Sequence, residues 1–520
     1  MYQHARRHVL ALSLVVAASI SASSCGSSPA DDADVTGDTG TFLPDTDATD
    51  APDTSTPDTS SDSGGDDTDI LLPTPDPLEE CEVTTAWTSD DVEIVMEPAA
   101  FEVSPNGGIL WTAHYSSLGG AFLQRSRDGL FLAESEELPI IGFDAQWERG
   151  LVQNGSGGLR MVSIPDGEDL LVLDDTVEDF GARWLAAAFS DDERHVVAAR
   201  CDGQQAMEVQ LRVWDANTGA QVTASAIPSI RDESTLCAPY ESRPKLLMRG
   251  ENVYAAAPDS PDLHRWNIET GETASVQIVP PPGPSEGPRE VDDILAVALS
   301  PDGATIVAAG SDHALHWLDA DTMTVTQTVP GAAPTHLNQM RFAPAILSSP
   351  VAFSPSGRLL ATAGPNGGIA IRVADTGEIL HTDALMDTHP EVLAGTPNAL
   401  AALRFARDGT ALYSRQMWGT AAYSCAGTPA GPLPIADATR VTVGGPPAVS
   451  AGTSVSYTAG SVGFDRIHVY RFFAGTVALR GGTFSGTVPE VSLDAGEHVI
   501  RVDVEDGLRS GVDEMTVEVN

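Results

Sequence analysis

A short pattern recurs through the middle of this chain and limits what it can fold into. Its clearest copy runs from Ile294 to Thr322. Ile294, Val297 and Leu299 lead into Ser300-Pro301-Asp302-Gly303. Thr305 to Ala309 follows as a β-rich run, Gly310-Ser311-Asp312-His313 turns again, and Ala314 to Leu318 forms a third run. Proline sets φ at such a turn, the Asp carboxylate caps it locally, and Gly takes the positive φ that a tight hairpin needs. The pattern predicts short antiparallel strands. One such unit cannot bury both faces of its own sheet, so further copies are expected.

Seven copies can be marked by their first turn. They begin at Ser104, Trp147 (Trp147-Glu148-Arg149-Gly150), Ser190, Met248 (Met248-Arg249-Gly250-Glu251), Ser300, Ser354 and Ala406, at spacings of 43 to 58 residues. A second marker closes the third strand of several copies. It reads Leu211-Arg212-Val213-Trp214-Asp215-Ala216-Asn217-Thr218-Gly219 and recurs from Leu263, Leu315 and Ile369. A period of about 40 to 55 residues with four short strands per unit is that of a β-propeller.

Residues 78–432 resemble a seven-bladed WD-repeat-type β-propeller, closest over Trp184 to Ala224 and Ile294 to Thr382. The Gly-His pair that opens many such repeats is absent, and the period alone is compatible with six or eight blades. Trp214, Trp266 and Trp317 recur at nearly one repeat position and are expected to fill the core between blades, with stacking on a ligand as the alternative. The resemblance implies a last blade built from both chain ends, with Cys81 to Trp87 pairing against Ala421 to Cys425. Cys81 and Cys425 would then be neighbours, and Cys201 and Cys237 would sit in adjacent blades. Four cysteines allow three pairings; the expected ones are Cys81–Cys425 and Cys201–Cys237, which an exported context permits.

The N-terminus reads as a targeting segment, residues 1–24. Arg6 and Arg7 precede an apolar run from Val9 to Ser21, too short to span a membrane comfortably. Ala22-Ser23-Ser24-Cys25-Gly26 resembles a bacterial lipobox, with Ala22 where that motif usually has Leu. The resemblance implies lipidation at Cys25, with attachment to the membrane through that lipid alone. Gly26 rather than Asp after the cysteine implies the outer membrane of a bacterial cell envelope. Cleavage as an ordinary signal peptide is the alternative. Residues 25–77 are rich in Asp, Thr, Ser and Pro, and no Lys or Arg occurs between Arg7 and Arg125. Such a stretch cannot bury enough apolar surface to offset its ordering entropy, so a disordered acidic tether is expected. A coil of this length spans about 40 Å, more with self-repulsion.

Residues 433–520 change texture. Seven alternating runs, with Asp494-Ala495-Gly496-Glu497 as an expected hairpin turn, predict an immunoglobulin-like β-sandwich. The run 493–507 resembles the late strands of bacterial Ig-like and PKD-like modules, which implies a spacer. The whole chain is therefore expected to be all-β: tether, seven-bladed propeller, sandwich.

The chain has 74 acidic and 28 basic residues, a net charge of −46. That argues against nucleic acid as a partner and against electrostatic docking on anionic lipid. The single Gly-x-Ser-x-Gly match, Gly283 to Gly287 around Ser285, lies among Pro280, Pro281, Pro282 and Pro288, without the strand and helix that a nucleophile elbow requires. His195, His264, His313, His316 and His336 are scattered; His313 and His316 would need two further ligands to hold zinc. No catalytic residue, metal site or cofactor is expected. The expected function is a membrane-anchored binding or scaffold protein of the cell envelope, presenting its propeller to a protein or glycan. An envelope hydrolase or lactonase with a site at the central channel is the alternative.

Overall fold

Every regular element of the described residues but one is a β-strand; the exception is a single 3-10 turn, Pro77–Glu79. The computed structural model describes residues 76–520, apart from 90–99, 115–119, 136–139, 154–157, 165–166, 176–182, 202–207, 229–243, 259, 281–292, 332–349, 364–367, 384–399, 417–418, 436–438, 466 and 484–485. The expected signal peptide, Cys25 and nearly all of the tether lie outside these residues. Leu71–Asn520 group as one unit by their contacts.

Seven four-stranded antiparallel sheets follow one another, six of them with their strands in sequence order. Sheet 1 is Ala100–Val103, Ile109–His114, Gly120–Arg125 and Phe131–Ser135. Sheets 2 to 6 cover residues 140–174, 183–228, 245–277, 294–329 and 351–383 in the same way. Sheet 7 is Leu400–Phe405, Ala411–Gln416 and Gly419–Cys425, and its fourth strand comes from the other end of the chain. Val83–Ser89 pairs antiparallel with Gly419–Cys425, Val83 opposite Cys425 and Ser89 opposite Thr420.

The turns explain why the chain breaks where it does. Ser300 Oγ donates to Asp302 Oδ1 (2.5 Å) and accepts from Thr305 N (2.9 Å), while Asp302 accepts from Ala304 N. Ser190 and Asp192 repeat the arrangement, and Ser104 with Asn106 does the same in sheet 1. Gly303 completes its turn at φ +77°. Sheet 2 departs from the expected register. Its turn occupies residues 144–148, not Trp147 to Gly150, because Asp144 accepts from Glu148 N, Arg149 N and Arg149 Nε. Arg149 and Gly150 already belong to the strand Arg149–Gln153. In sheet 4 the turn is one residue later than expected, with Arg249 paired to Asn252.

The apolar core is divided among seams between consecutive sheets. In sheet 5, Ile306 and Ala308 pack against Tyr254, Ala256 and Leu263 of sheet 4. Val307, Ala309 and Trp317 pack against Val351 and Leu360 of sheet 6. Trp214 fills the seam of sheets 2 and 3, and Trp266 that of sheets 3 and 4. All three tryptophans are buried as expected. The last seam joins sheet 7 to sheet 1: Ala411, Tyr413 and Ala422 meet Phe101, Val103 and Leu110. The first strands of the seven sheets are neighbours in the same cyclic order.

The C-terminal strands form a three-stranded sheet (Arg440–Gly444, Val455–Val462, Thr487–Val491) and a five-stranded sheet that includes Val469–Ala474, Gly496–Glu505 and Ser510–Val519. Tyr457, Phe472, Ile500, Val502 and Val517 are buried between them. Residues 494–497 do not make the expected hairpin. They carry the chain from Thr487–Val491 in one sheet to Gly496–Glu505 in the other; the hairpin is at 505–510, with Glu505 opposite Ser510. That hairpin docks on sheet 1. Arg125 pairs with Glu505 (2.7 Å), and Ile467 and Val469 join the core of sheet 1. A Cβ on Gly507 would collide with the backbone of Gly108, so both glycines serve a close approach of two chains.

Asp506 holds the hairpin. It is fully buried and accepts from the backbone N–H of Asp465, Leu508 and Arg509 and from Arg509 Nη1. Asp506→Ala is therefore expected to cost about 3 kcal/mol in urea unfolding, since buried donors lose their charged acceptor. A loss below about 0.5 kcal/mol, the level of an ordinary surface change, would contradict this role.

Candidate binding face

The two ends of the sheets differ. At one end lie the turns between first and second strands. These are five residues long in sheets 1, 2, 3, 5, 6 and 7 (104–108, 144–148, 190–194, 300–304, 354–358, 406–410) and two in sheet 4 (250–251). Crossings from one sheet to the next start from the opposite end, because each sheet has four antiparallel strands. Four of these crossings are long in sequence: 229–244, 278–293, 330–350 and 384–399.

The turn end is occupied with internal contacts. Arg149 reaches from sheet 2 to Glu193 of sheet 3 (3.2 Å), and Ala145 N donates to the same carboxylate. Asp191 accepts from Gly250 N of sheet 4 (2.7 Å), and Arg249 donates to Pro301 O of sheet 5. Arg358 pairs with Glu79 (2.6 Å), and Arg407 donates to Ala145 O (2.7 Å). Burial alone would push the Asp192 carboxyl up, but Ser190, the Arg194 backbone and the Arg194 guanidinium outweigh it and hold it down to about 2. The contacts between turns tie sheet 2 to sheet 3, sheet 3 to sheet 4 and sheet 4 to sheet 5. The end that carries the long crossings is the candidate binding face.

The structure places the expected residues as follows. Cys81 and Cys425 form a disulfide with a Cα–Cα distance of 5.5 Å. Cys81 stands just before the strand that begins at Val83, not within it, and the bridge ties the closing strand to the end of Gly419–Cys425. Cys201 ends the strand His195–Cys201, at the face of the long crossings, and Cys237 lies outside the described residues. Ser285 and His336 also lie outside them. His313 sits in its turn at φ +64°. His316 does not face it as a co-ligand. Its Nε2 meets Asp312 Oδ2 (3.1 Å) and its Nδ1 meets Thr328 Oγ1 (3.2 Å), all inside sheet 5. Among the described residues no group of three or more His, Cys, Asp or Glu could hold a metal ion.

Three clusters escaped the sequence reading. Arg200 and Arg212 both approach Asp174 Oδ2 (3.2 and 3.3 Å) and the face of Trp184 in the seam of sheets 2 and 3. Arg404 pairs with Glu102 between the first strands of sheets 7 and 1 (2.8 Å). Arg415 is buried in sheet 7. The signal available was charge inside otherwise apolar strand runs.

The Cys81–Cys425 bridge closes a loop with a sequence separation of 344. By chain-entropy arguments its removal in Cys81→Ser costs on the order of 5 kcal/mol, with engineered cases often lower. Thermal unfolding with and without reductant measures it, and a wild-type midpoint indifferent to reduction of the bridge contradicts it. His264 is pushed below its ordinary value by burial, slightly opposed by Asp262. The folded protein thus resists a proton that the unfolded chain accepts near 6.5. Stability is fully present above that pH and declines as pH falls through it. His264→Gln should flatten this part of the pH–stability curve; an unchanged slope would count against it.

A scan against protein-family models finds no match to this chain, and a search of curated proteins finds no significant match.

Proposed function

We propose that the seven sheets are the blades of a β-propeller, that the C-terminal pair of sheets is an immunoglobulin-like sandwich, and that the chain is a lipid-anchored binding protein of the bacterial cell envelope. The cyclic succession of apolar seams, with the sheet 7 to sheet 1 seam returning to the start, supports the propeller. A fourth strand drawn from the other chain end supports closure of the ring. A disulfide at that closure fits an oxidising compartment, as export would supply. The lipobox-like Ala22 to Gly26 supplies the anchor at Cys25, and 25–77 the tether.

The observation that carries the binding reading is the asymmetry of the two ends. One end is held together by ion pairs between turns. The other carries crossings of up to 21 residues (330–350), far longer than the fold requires. Connections on a rigid scaffold are where recognition is usually built. The ligand is a protein or glycan outside the membrane.

Protease accessibility on intact cells, beside a Cys25→Ala variant, tests the reading. Loss of the propeller to added protease, together with release of the variant into the medium, is the expected result. Protection until the outer membrane is permeabilised moves the partner to the periplasm and overturns surface display. Unchanged membrane association of the variant overturns the lipid anchor.

A further inference from the structure

The C-terminal pair of sheets carries a side-chain cluster that the binding reading does not use. It lies where the strand Val455–Val462 of one sheet gives way to Val469–Ala474 of the other. Along the first strand Tyr457, Ala459 and Ser461 point between the sheets, alternating with the exposed Thr458, Gly460 and Val462. Tyr457 is fully buried and Ser461 half-buried, so this row runs from the core out to the rim. At the rim it meets His468, also half-buried, and the buried Tyr470.

Three polar atoms converge there. Ser461 Oγ is 2.8 Å from His468 Nε2 and 2.7 Å from Tyr470 Oη, and Nε2 and Oη are 2.8 Å apart. His468 Nδ1 lies 2.8 Å from Asp465 O. A carbonyl oxygen only accepts, so Nδ1 carries the ring proton, and in the neutral imidazole Nε2 is an acceptor. Two hydroxyls then share that acceptor. One arrangement has Ser461 donating to Nε2 while Tyr470 donates to Ser461 Oγ.

The imidazole is held in place from several sides. Asp465 N donates to Oδ2 of the buried Asp506 (2.8 Å), which pins the carbonyl that orients the ring. Ile467 and Val469, the neighbours of His468 in sequence, enter the core of sheet 1, and alternation turns the histidine to the opposite side. The Phe464 ring centre is 5.9 Å from that of the imidazole. A hydroxyl against an imidazole whose other nitrogen is fixed by a third group is the arrangement that activates a serine. His468 is placed to take the Ser461 proton, and the Tyr470 hydroxyl to stabilise the charge that develops on Oγ.

We propose that Ser461 is a nucleophile that accepts the acyl group of an activated ester. The bond from Oγ to the acyl carbon forms as the Ser461 proton passes to His468 Nε2. The bond from the acyl carbon to the leaving oxygen breaks, and the alcohol departs with that proton. One base and one proton suffice for an ester whose alcohol leaves readily. The inference is independent of the binding face and of display on the cell surface.

The test treats the mature protein with p-nitrophenyl acetate, follows release of nitrophenol and maps the acetylated residue by peptide mass spectrometry. A fluorophosphonate is the second probe; there the bond from Oγ to phosphorus forms and fluoride leaves. Both should mark Ser461 ahead of every other serine, and Ser461→Ala should lose the mark. His468→Gln should slow the marking by about a hundredfold, the lower end of what a general base contributes. Tyr470→Phe, which keeps the ring, should slow it by a smaller factor. If His468→Gln does not fold, the wild-type protein with and without urea decides, since unfolding disperses the cluster. Ser461 marked no faster in the folded than in the unfolded protein overturns the proposal. So does an unchanged rate in a folded His468→Gln, or an adduct on His468 in place of Ser461.

Discussion

Each four-stranded sheet in this protein is apolar on both faces, and the rest of the structure depends on that. In sheet 6 all five residues of Leu359–Ala363 are buried. In sheet 5, alternate residues of Thr305–Gly310 serve two different seams, Ile306 with sheet 4 and Val307 with sheet 6. A sheet of this kind needs a neighbour on each side. Seven of them in an open row would leave two faces bare, including Phe101 and Leu110 at one end and Tyr413 and Ala422 at the other. The seam that joins these residues removes both faces at once. Burying a large apolar side chain contributes about 1.5–3 kcal/mol, so the two ends have a strong reason to meet.

Val83–Ser89 is what makes that meeting topologically secure. A seventh sheet built only from residues 400–425 would have three strands and an open edge at Gly419–Cys425. The N-terminal strand covers that edge, and the bridge from Cys81 to Cys425 fastens it at the end nearest the tether. Opening the structure at this point then requires breaking a strand pair and a covalent bond as well as an apolar seam.

The parts of this arrangement that were legible in the sequence are those where local chemistry and tertiary packing agree. Ser300-Pro301-Asp302-Gly303 announces its turn, because the hydroxyl, the carboxylate and the positive φ are all written in it. The turn of sheet 2 has no such grammar. Trp147 takes φ +54° without being glycine, and its ring lies 4.2 Å from Phe143 and 6.2 Å from Trp111. Packing of the indole outweighs backbone preference there, and a reading from turn residues slips by three positions. Asp494 to Glu497 misled for a different reason. A turn-forming composition shows that the chain changes direction, but not which sheet the next strand joins. The burial of Arg415 could be seen only once Ala411–Gln416 was placed between its neighbours.

The C-terminal module also covers the turn end of sheet 1. A spacer of the kind the sequence implied would swing freely, yet Arg125, Glu505 and Arg471 form a continuous ion-pair chain from sheet 1 into the module. Gly108 and Gly507 bring the two backbones into contact at the turn end of sheet 1. That end is therefore committed twice over, to ion pairs between neighbouring sheets and to the module. Glu505 is almost fully buried, so replacing this contact with a ligand would mean stripping a desolvated carboxylate of two arginines. The opposite end carries the buried ion pair of Arg200 with Asp174 between sheets 2 and 3, and the long crossings emerge there. The two ends of the sheets thus differ in how chain length is spent: turns of five residues or fewer between first and second strands at one, crossings of up to 21 residues at the other.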